Sequence, residues 1–324
     1  MKNFVILFIS LFFLKTVLAQ CCTPGNPVGG TTQIGILDKK AFRAISFYRY
    51  SFSEGYWEGN KRTENSFVKN GKFNYAGLML DYGLSNKVNI ETEIGYFISK
   101  SQTYNLDPPF TSNGFGFNNA VLSLKYNLIN NTAYPIEWTI GGGAKIPFKK
   151  KYLSVDNVEL PRGVQPSTHA FGFATQSLLF KDFPKIGLLL ILINRFENNF
   201  TDIKNYQYGD ILFSSLFTAK KLGKSNCTTI LQIRHEWRDQ DIVSGSGIFP
   251  TSLSKKGTRV LASGGNLIFI APQINYSIGQ KWNISFLADL PVYRFYNGAQ
   301  MGNKFAFACY LSRDFAGKCE ANEE

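Results

Sequence analysis

Only two histidines occur in this chain of 324 residues, His169 and His235. A histidine that activates a serine needs the hydroxyl within hydrogen-bond reach. Lipolytic barrels supply it as a His-x-Ser-Asn-Gly arrangement. Here His169 runs into Ala170-Phe171-Gly172 and His235 into Glu236-Trp237-Arg238, so neither has a serine two residues on. Both read as packing or girdle residues. No glycine-rich phosphate loop or paired-acid motif stands in a usable context. The five cysteines, Cys21, Cys22, Cys227, Cys309 and Cys319, match no zinc spacing. The expectation is a protein that is not an enzyme and carries neither cofactor nor metal.

The residues that do show a pattern are charges. In YGLSNKVNIETEIGY, residues 82–96, Val88, Ile90, Thr92 and Ile94 alternate with Asn89, Glu91 and Glu93. Successive side chains of a strand point to opposite faces, so one face here is apolar and the other carries two carboxylates. The same parity elsewhere collects Arg43, Arg49, Asp81, Glu91, Glu93, Lys125, Glu137, Lys145, Arg234, Glu236 and Asp289, interleaved with Asn, Ser, Thr and Gly. Opposed charges around an aqueous lumen set up a transverse field that orders water and polar solutes. Both signs are nearly equal in number, which predicts weak ion selectivity.

Those charges must be positioned by strands, because helical periodicity is nearly absent. Period-two segments rich in aromatic and β-branched residues recur about twelve times between 41 and 315. Connections alternate strictly between tight turns, such as Ser85-Asn86 and Gly279-Gln280, and long stretches of loop composition, such as LDPPFTSNG and VELPRGVQP. In an up-and-down meander this places all tight turns and both termini at one end. The fold class expected is all-β, a single closed antiparallel transmembrane barrel of about 12 strands, since outer-membrane barrels carry this loop asymmetry. A Greek-key sandwich gives no reason to sort its loops.

Alternation alone does not say which face is wet. Three features place the apolar face in lipid. The apolar lines are uniform (Ala120/Leu122/Leu124/Tyr126, Ile268/Ile270/Pro272/Ile274/Tyr276, Trp282/Ile284/Phe286/Ala288/Leu290). Tyr82, Tyr96, Tyr126, Tyr276 and Trp282 sit near their ends, where an interfacial girdle belongs, with Phe315 closing the last strand. The other face carries charge at mid-strand. A closed barrel this wide also leaves a lumen too large for side chains to plug easily. Three features fit less well: Pro272 inside a strand, Gly141-Gly142-Gly143 in another, and a segment apolar on both faces through Gly187 to Ile193. Together they suggest a lumen partly filled by a loop or by the N-terminal segment.

The stretch PVYRFYNGAQMG, Pro291 to Gly302, precedes the final strand. It resembles the closing segment of a broad family of outer-membrane barrels named for a phenol-degradation pathway and described as transporters. In that family a Pro-Val-Tyr strand end is followed by a loop with Asn-Gly and Gln. The chain departs from the pattern in continuing past Phe315 as AGKCEANEE and in carrying Cys21-Cys22-Thr23-Pro24-Gly25 near its start. The resemblance implies an outer-membrane location in a Gram-negative bacterium and a transport class, without a ligand.

Export is also legible. Lys2, the apolar run Phe4 to Leu14 and small residues up to Ala19 describe a cleaved signal peptide over 1–19. The alternatives are a retained anchor and a lipoprotein acylated on Cys21. Residues 20–40 then form a periplasmic N-terminal segment, 41–315 the barrel and 316–324 a periplasmic tail. Cys21, Cys22, Cys227 and Cys319 all fall near the tight-turn end, where one or two disulfides would tie the segments to the rim. Cys309 lies on the lipid-facing parity and is expected free. The formal charge is +12, much of it in loops such as Lys149-Lys150-Lys151. That run is a solvated loop or a contact for anionic lipid, including lipopolysaccharide. No nucleic acid is expected as partner. The functional expectation is a channel for passive passage of small, aromatic or apolar solutes, with Tyr56, Trp57, Tyr104 and Phe110 as loop aromatics near its mouth. A closed structural or adhesin-like barrel is the alternative, and a lipolytic enzyme a disfavoured third.

Overall fold

The structure is a computed structural model and describes residues 35–64, 67–131, 133–223, 225–244, 257–279 and 281–315. The expected signal peptide, most of the N-terminal segment and the C-terminal tail lie outside these residues. Eleven extended segments form a ring: β1 (Phe42–Gly59), β2 (Val68–Ser85), β3 (Val88–Tyr104), β4 (Ala120–Asn131), β5 (Ile136–Ile146), β6 (Gly172–Phe183), β7 (Leu188–Asn199), β8 (Ile211–Lys221), β9 (Cys227–Arg238), β10 (Gly265–Ile278) and β11 (Trp282–Phe315). Each pairs antiparallel with its neighbour, and β11 pairs with β1 to close the barrel.

An odd number of antiparallel members cannot close a ring, and the last segment resolves the parity. β11 is 34 residues long. Its first half pairs with β10 from Trp282 to Tyr296, and its second half pairs with β1 from Tyr296 down to Phe315. The chain therefore reverses in the intervening stretch, and β11 supplies two staves. The expected twelve passes are present, and closure removes every sheet edge from lipid.

Tight turns join β2 to β3, β4 to β5, β6 to β7, β8 to β9 and β10 to β11; the long connections all leave the other end. Short strands decorate that second end, including Lys61–Thr63 beside β1 and Phe110–Phe117 beside β3. β4 has 12 residues. That is roughly 40 Å of strand and, at a tilt of about 40°, roughly 30 Å of height, enough to cross the apolar band of a membrane.

Several staves outrun the sequence expectation. β1 reaches Gly59 and β3 reaches Tyr104, so Tyr56, Trp57 and Tyr104 are strand residues rather than loop aromatics, and Phe110 opens a short strand. Pairing explains the extension: Tyr56 faces Met301, and Val68 faces Tyr104. β6 starts at Gly172, after His169, whose φ of +57 interrupts extended backbone.

The parity question has a clear outcome. Leu122 and Leu124 are 44% and 55% exposed, while Glu91 and Glu93 are 6% and 9% exposed. The apolar stripe faces outward and the charged stripe faces the lumen.

Candidate functional site

The lumen has two levels, and the eleven charges expected to point inward all lie on the inner parity. Nine of them are buried, and Arg49 and Glu137 are half-buried.

The lower level, toward the tight turns, is closed by packing. Lys125 donates to Asp81 at 2.6 Å and to Glu91 at 3.0 Å. Asn89 donates its side-chain amide to Asp81 at 2.9 Å. Arg43 grips Asp314 with two nitrogens. Residues 35–41 cross this end: Ile36 N–H donates to Glu137 at 3.2 Å, Leu37 N–H to the Asn89 side chain at 3.2 Å, and Lys40 N–H to the Gly83 carbonyl at 2.8 Å. Apolar side chains complete the floor. Leu178, Phe180, Ile191, Phe217, Ala219 and Ile230 form one inward cluster, and this explains the segment apolar on both faces: its inner side is core. A second cluster on the opposite wall joins Ile45, Phe47, Met79, Ala271, Leu287, Ala308 and Tyr310.

The upper level is open. A cavity of about 530 Å³ is lined by aromatic and charged side chains, among them Phe73, Tyr75, Phe97, Phe213 and Phe269. Glycines make room for its rings. A Cβ at Gly77 would collide with the Phe47 ring, and one at Gly95 with the Tyr75 hydroxyl, so these two positions let aromatic rings lie flat on the wall. In the Gly141–Gly143 run, a Cβ at 143 would meet Ser123 and the Leu122 backbone, which accounts for glycine there.

Charges around the cavity pair across the barrel as well as along the wall. Arg195 on β7 reaches Glu93 on β3 at 3.0 Å and holds Glu197 at 2.8 Å. Those staves are four positions apart, roughly 19 Å along the sheet, so the bond spans a chord of the lumen. Lys145 donates to Glu197 and to Asn199, the latter at 2.9 Å. On the far wall, Arg49 and Arg234 share Asp289, the second at 2.7 Å, and Arg238 pairs with Glu236. Arg195, Glu197, Lys100 and Arg238 were absent from the sequence-derived set. Arg195 and Glu197 share the parity of Ile191, but the apolar character of the preceding residues masked them. Lys100 lies beyond the alternating stretch of residues 82–96, and Arg238 at the very end of its strand.

The wall is interrupted at mid-height. Along β10 and β11 the ladder runs through Ile270–Leu290 and resumes at Gln273–Leu287, skipping Ala271 and Pro272 opposite Asp289 and Ala288. Proline carries no N–H to donate. A cleft of about 390 Å³ opens here, lined by outward Pro272, Ile274, Phe286 and Phe307 and by inward Gln273, Leu287 and Ala308. Leu287 and Ala308 belong to the same apolar cluster as Phe47, which also lines the cavity.

Long connections frame the mouth. The Arg162 guanidinium lies 3.8 Å from the Tyr206 ring centroid and 3.3 Å from Asp202. Tyr152 bonds Asp202 and Tyr206 bonds Asp241. Burial, reinforced by those carboxylates, raises both phenols, so they act as donors. Tyr104 stacks on Phe110 at 5.9 Å, so the mouth aromatics pack on each other. The Lys149–Lys151 run is exposed.

Neither histidine forms a nucleophile pair. His169 is buried in a connection between the Lys149 carbonyl at 2.9 Å and Gln165 at 3.2 Å, stacked on Tyr152. His235 faces Asn266 at 3.1 Å. Cys227 and Cys309 carry free thiols; Cys21, Cys22 and Cys319, the other cysteines of the expected disulfides, lie outside the described residues. Among the described residues no cluster of His, Cys, Asp and Glu could hold a metal.

No protein-family model matches the sequence, and no curated protein matches it. Solved structures do. The COG4313 outer membrane channel from Pseudomonas putida F1 superposes with a TM-score of 0.65 at 10% identity, covering 86% of this chain and 97% of that one. A TodX deltaS2S3 mutant monoaromatic hydrocarbon channel gives 0.46 at 10% identity, covering 86% and 91%. The beta domain of the Bordetella autotransporter BrkA gives 0.48 at 8% identity, covering 86% and 100%. At such identities the first likeness shows the fold alone: a closed antiparallel β-barrel.

Proposed function

We propose that this chain is an outer-membrane channel that admits small solutes with an aromatic or apolar part. The observation that carries the reading is the cavity itself. A lumen serving only as scaffold would be packed throughout, as its lower level is, whereas the upper level keeps about 530 Å³ walled by aromatic rings and paired charges. An apolar exterior suited to lipid surrounds it. The shared fold with a protein described as an outer membrane channel supports the class.

The route onward favours the wall over the floor. Descent along the axis meets Lys125 with its two carboxylates and the strap of residues 35–41. The interruption at Pro272 instead lays inward Leu287 and Ala308 beside outward Pro272 and Ile274. An apolar solute leaving there exchanges one apolar environment for another at little desolvation cost.

The test is solute admission in proteoliposomes, with ion current in planar bilayers. Phenylalanine, which crosses lipid poorly, should enter faster than arabinose of similar mass. If neither enters and no current flows, the protein is a closed structural barrel.

A further inference from the structure

The cavity carries an imbalance of charge that the lumen as a whole does not. Six cationic side chains line it, Arg49, Lys100, Lys145, Arg195, Arg234 and Arg238, against the carboxylates Glu93, Glu197 and Glu236, with Asp289 buried behind them. The floor shows the reverse: Arg43 and Lys125 face Asp81, Glu91, Glu137 and Asp314. Inward charges are thus balanced in number but segregated in height.

Most cavity cations are spoken for. Arg195 and Lys145 share Glu93 and Glu197, Arg49 and Arg234 share Asp289, and Arg238 holds Glu236. Lys100 differs. Its ammonium donates to the Gln165 carbonyl at 2.8 Å and sits 5.1 Å from the Phe97 ring centroid, with no carboxylate within ion-pair distance among the described residues. An ammonium has three donors, and a neutral carbonyl satisfies one without neutralising the charge. Phe97 and Phe73 lie beside it on the same cavity wall.

The geometry points to a small amphiphilic monoanion as the solute, its carboxylate or sulfonate head against Lys100 and its apolar body on the aromatic wall. This deepens the channel reading and rests on it. The surplus of cations in a partly desolvated cavity attracts such an anion, and the surplus of carboxylates below repels it from the floor. The head and the body are recognised by different groups a few ångströms apart, which a simple ion or a plain hydrocarbon does not exploit.

The experiment compares three impermeant aromatic probes in proteoliposomes of the full protein: benzenesulfonate, phenylalanine (net neutral) and phenyltrimethylammonium. Benzenesulfonate should enter about tenfold faster than the cation, the scale of one partly screened charge contact, with phenylalanine between. Lys100→Met should erase most of that preference by slowing benzenesulfonate without slowing the cation, and Lys100→Arg should keep it. Equal entry of the two ions into wild type, faster entry of the cation, or a preference surviving in Lys100→Met would overturn the proposal. Failure of all three probes to enter would instead remove the channel reading itself. If Lys100→Met does not fold, judged by heat-modifiable mobility, the wild-type ratio still decides.

Discussion

The lower and upper lumen are built from the same inward parity of the same staves, yet one is sealed and the other hollow. Below, Lys125 satisfies two carboxylates at once, and Ile191, Phe217 and Phe180 fill what the charges leave. Above, glycines at 77 and 95 lower the wall, the ion pairs run along and across the lumen rather than filling it, and one ammonium has no carboxylate partner among the described residues. Barrel diameter therefore does not decide whether a lumen is open; the sizes and pairing of its inward side chains do.

The largest effect should come from breaking the floor. Lys125→Met leaves Asp81 and Glu91 buried beside each other without their cation, and removing one partner of a buried ion pair costs about 3–5 kcal/mol. The transition temperature for loss of heat-modifiable mobility should drop accordingly, and ion current should rise as the seal loosens. A loss well under 1 kcal/mol would mean that water already reaches these carboxylates, and the contrast between the levels would go.

A smaller effect sharpens the question of exit. Pro272→Val restores an amide donor where the ladder is interrupted, a gain of about 1 kcal/mol. Phenylalanine entry should be little affected, because the cavity is untouched, whereas transfer of a lipid-soluble aromatic from the lumen into the bilayer should slow. Unchanged transfer would return the axial route through the floor.

The smallest effect concerns the mouth. Burial lowers the His169 imidazole below its ordinary value of 6.5, partly offset by the Lys149 carbonyl. The unfolded connection thus binds a proton more readily than the folded one. The contribution of His169 to the packing of residues 148–170 is complete above pH 6.5 and is lost as pH falls from there toward the lowered value. Hydrogen exchange in this connection should quicken on acidification while β4 and β9 stay protected, and His169→Gln should flatten that dependence. Equal acid sensitivity in the staves would assign the effect elsewhere.

Much of the architecture was legible in residues 41–315 because its determinants are local. Alternation of Val88, Ile90 and Ile94 with Asn89, Glu91 and Glu93 needs only the two-residue period of a strand, and turn chemistry sorts the connections without reference to anything distant. The same locality explains the errors. Strand ends at Gly59 and Tyr104 depend on partners such as Met301 and Val68, which no window of sequence contains. Pro272 could be seen as awkward from the sequence, but whether it bends an edge or parts a wall depended on Asp289 and Ala288 standing opposite.

What the sequence by itself determined is the set of side chains that share a face, since strand periodicity and loop length follow from neighbouring residues. Only closure of the ring decided their partners. Arg195 meets Glu93 across 102 positions of chain and a chord of the lumen, and Lys100 meets the Gln165 carbonyl and, among the described residues, no carboxylate. Pairing across a barrel is a property of register and diameter, and neither exists until the last stave meets the first.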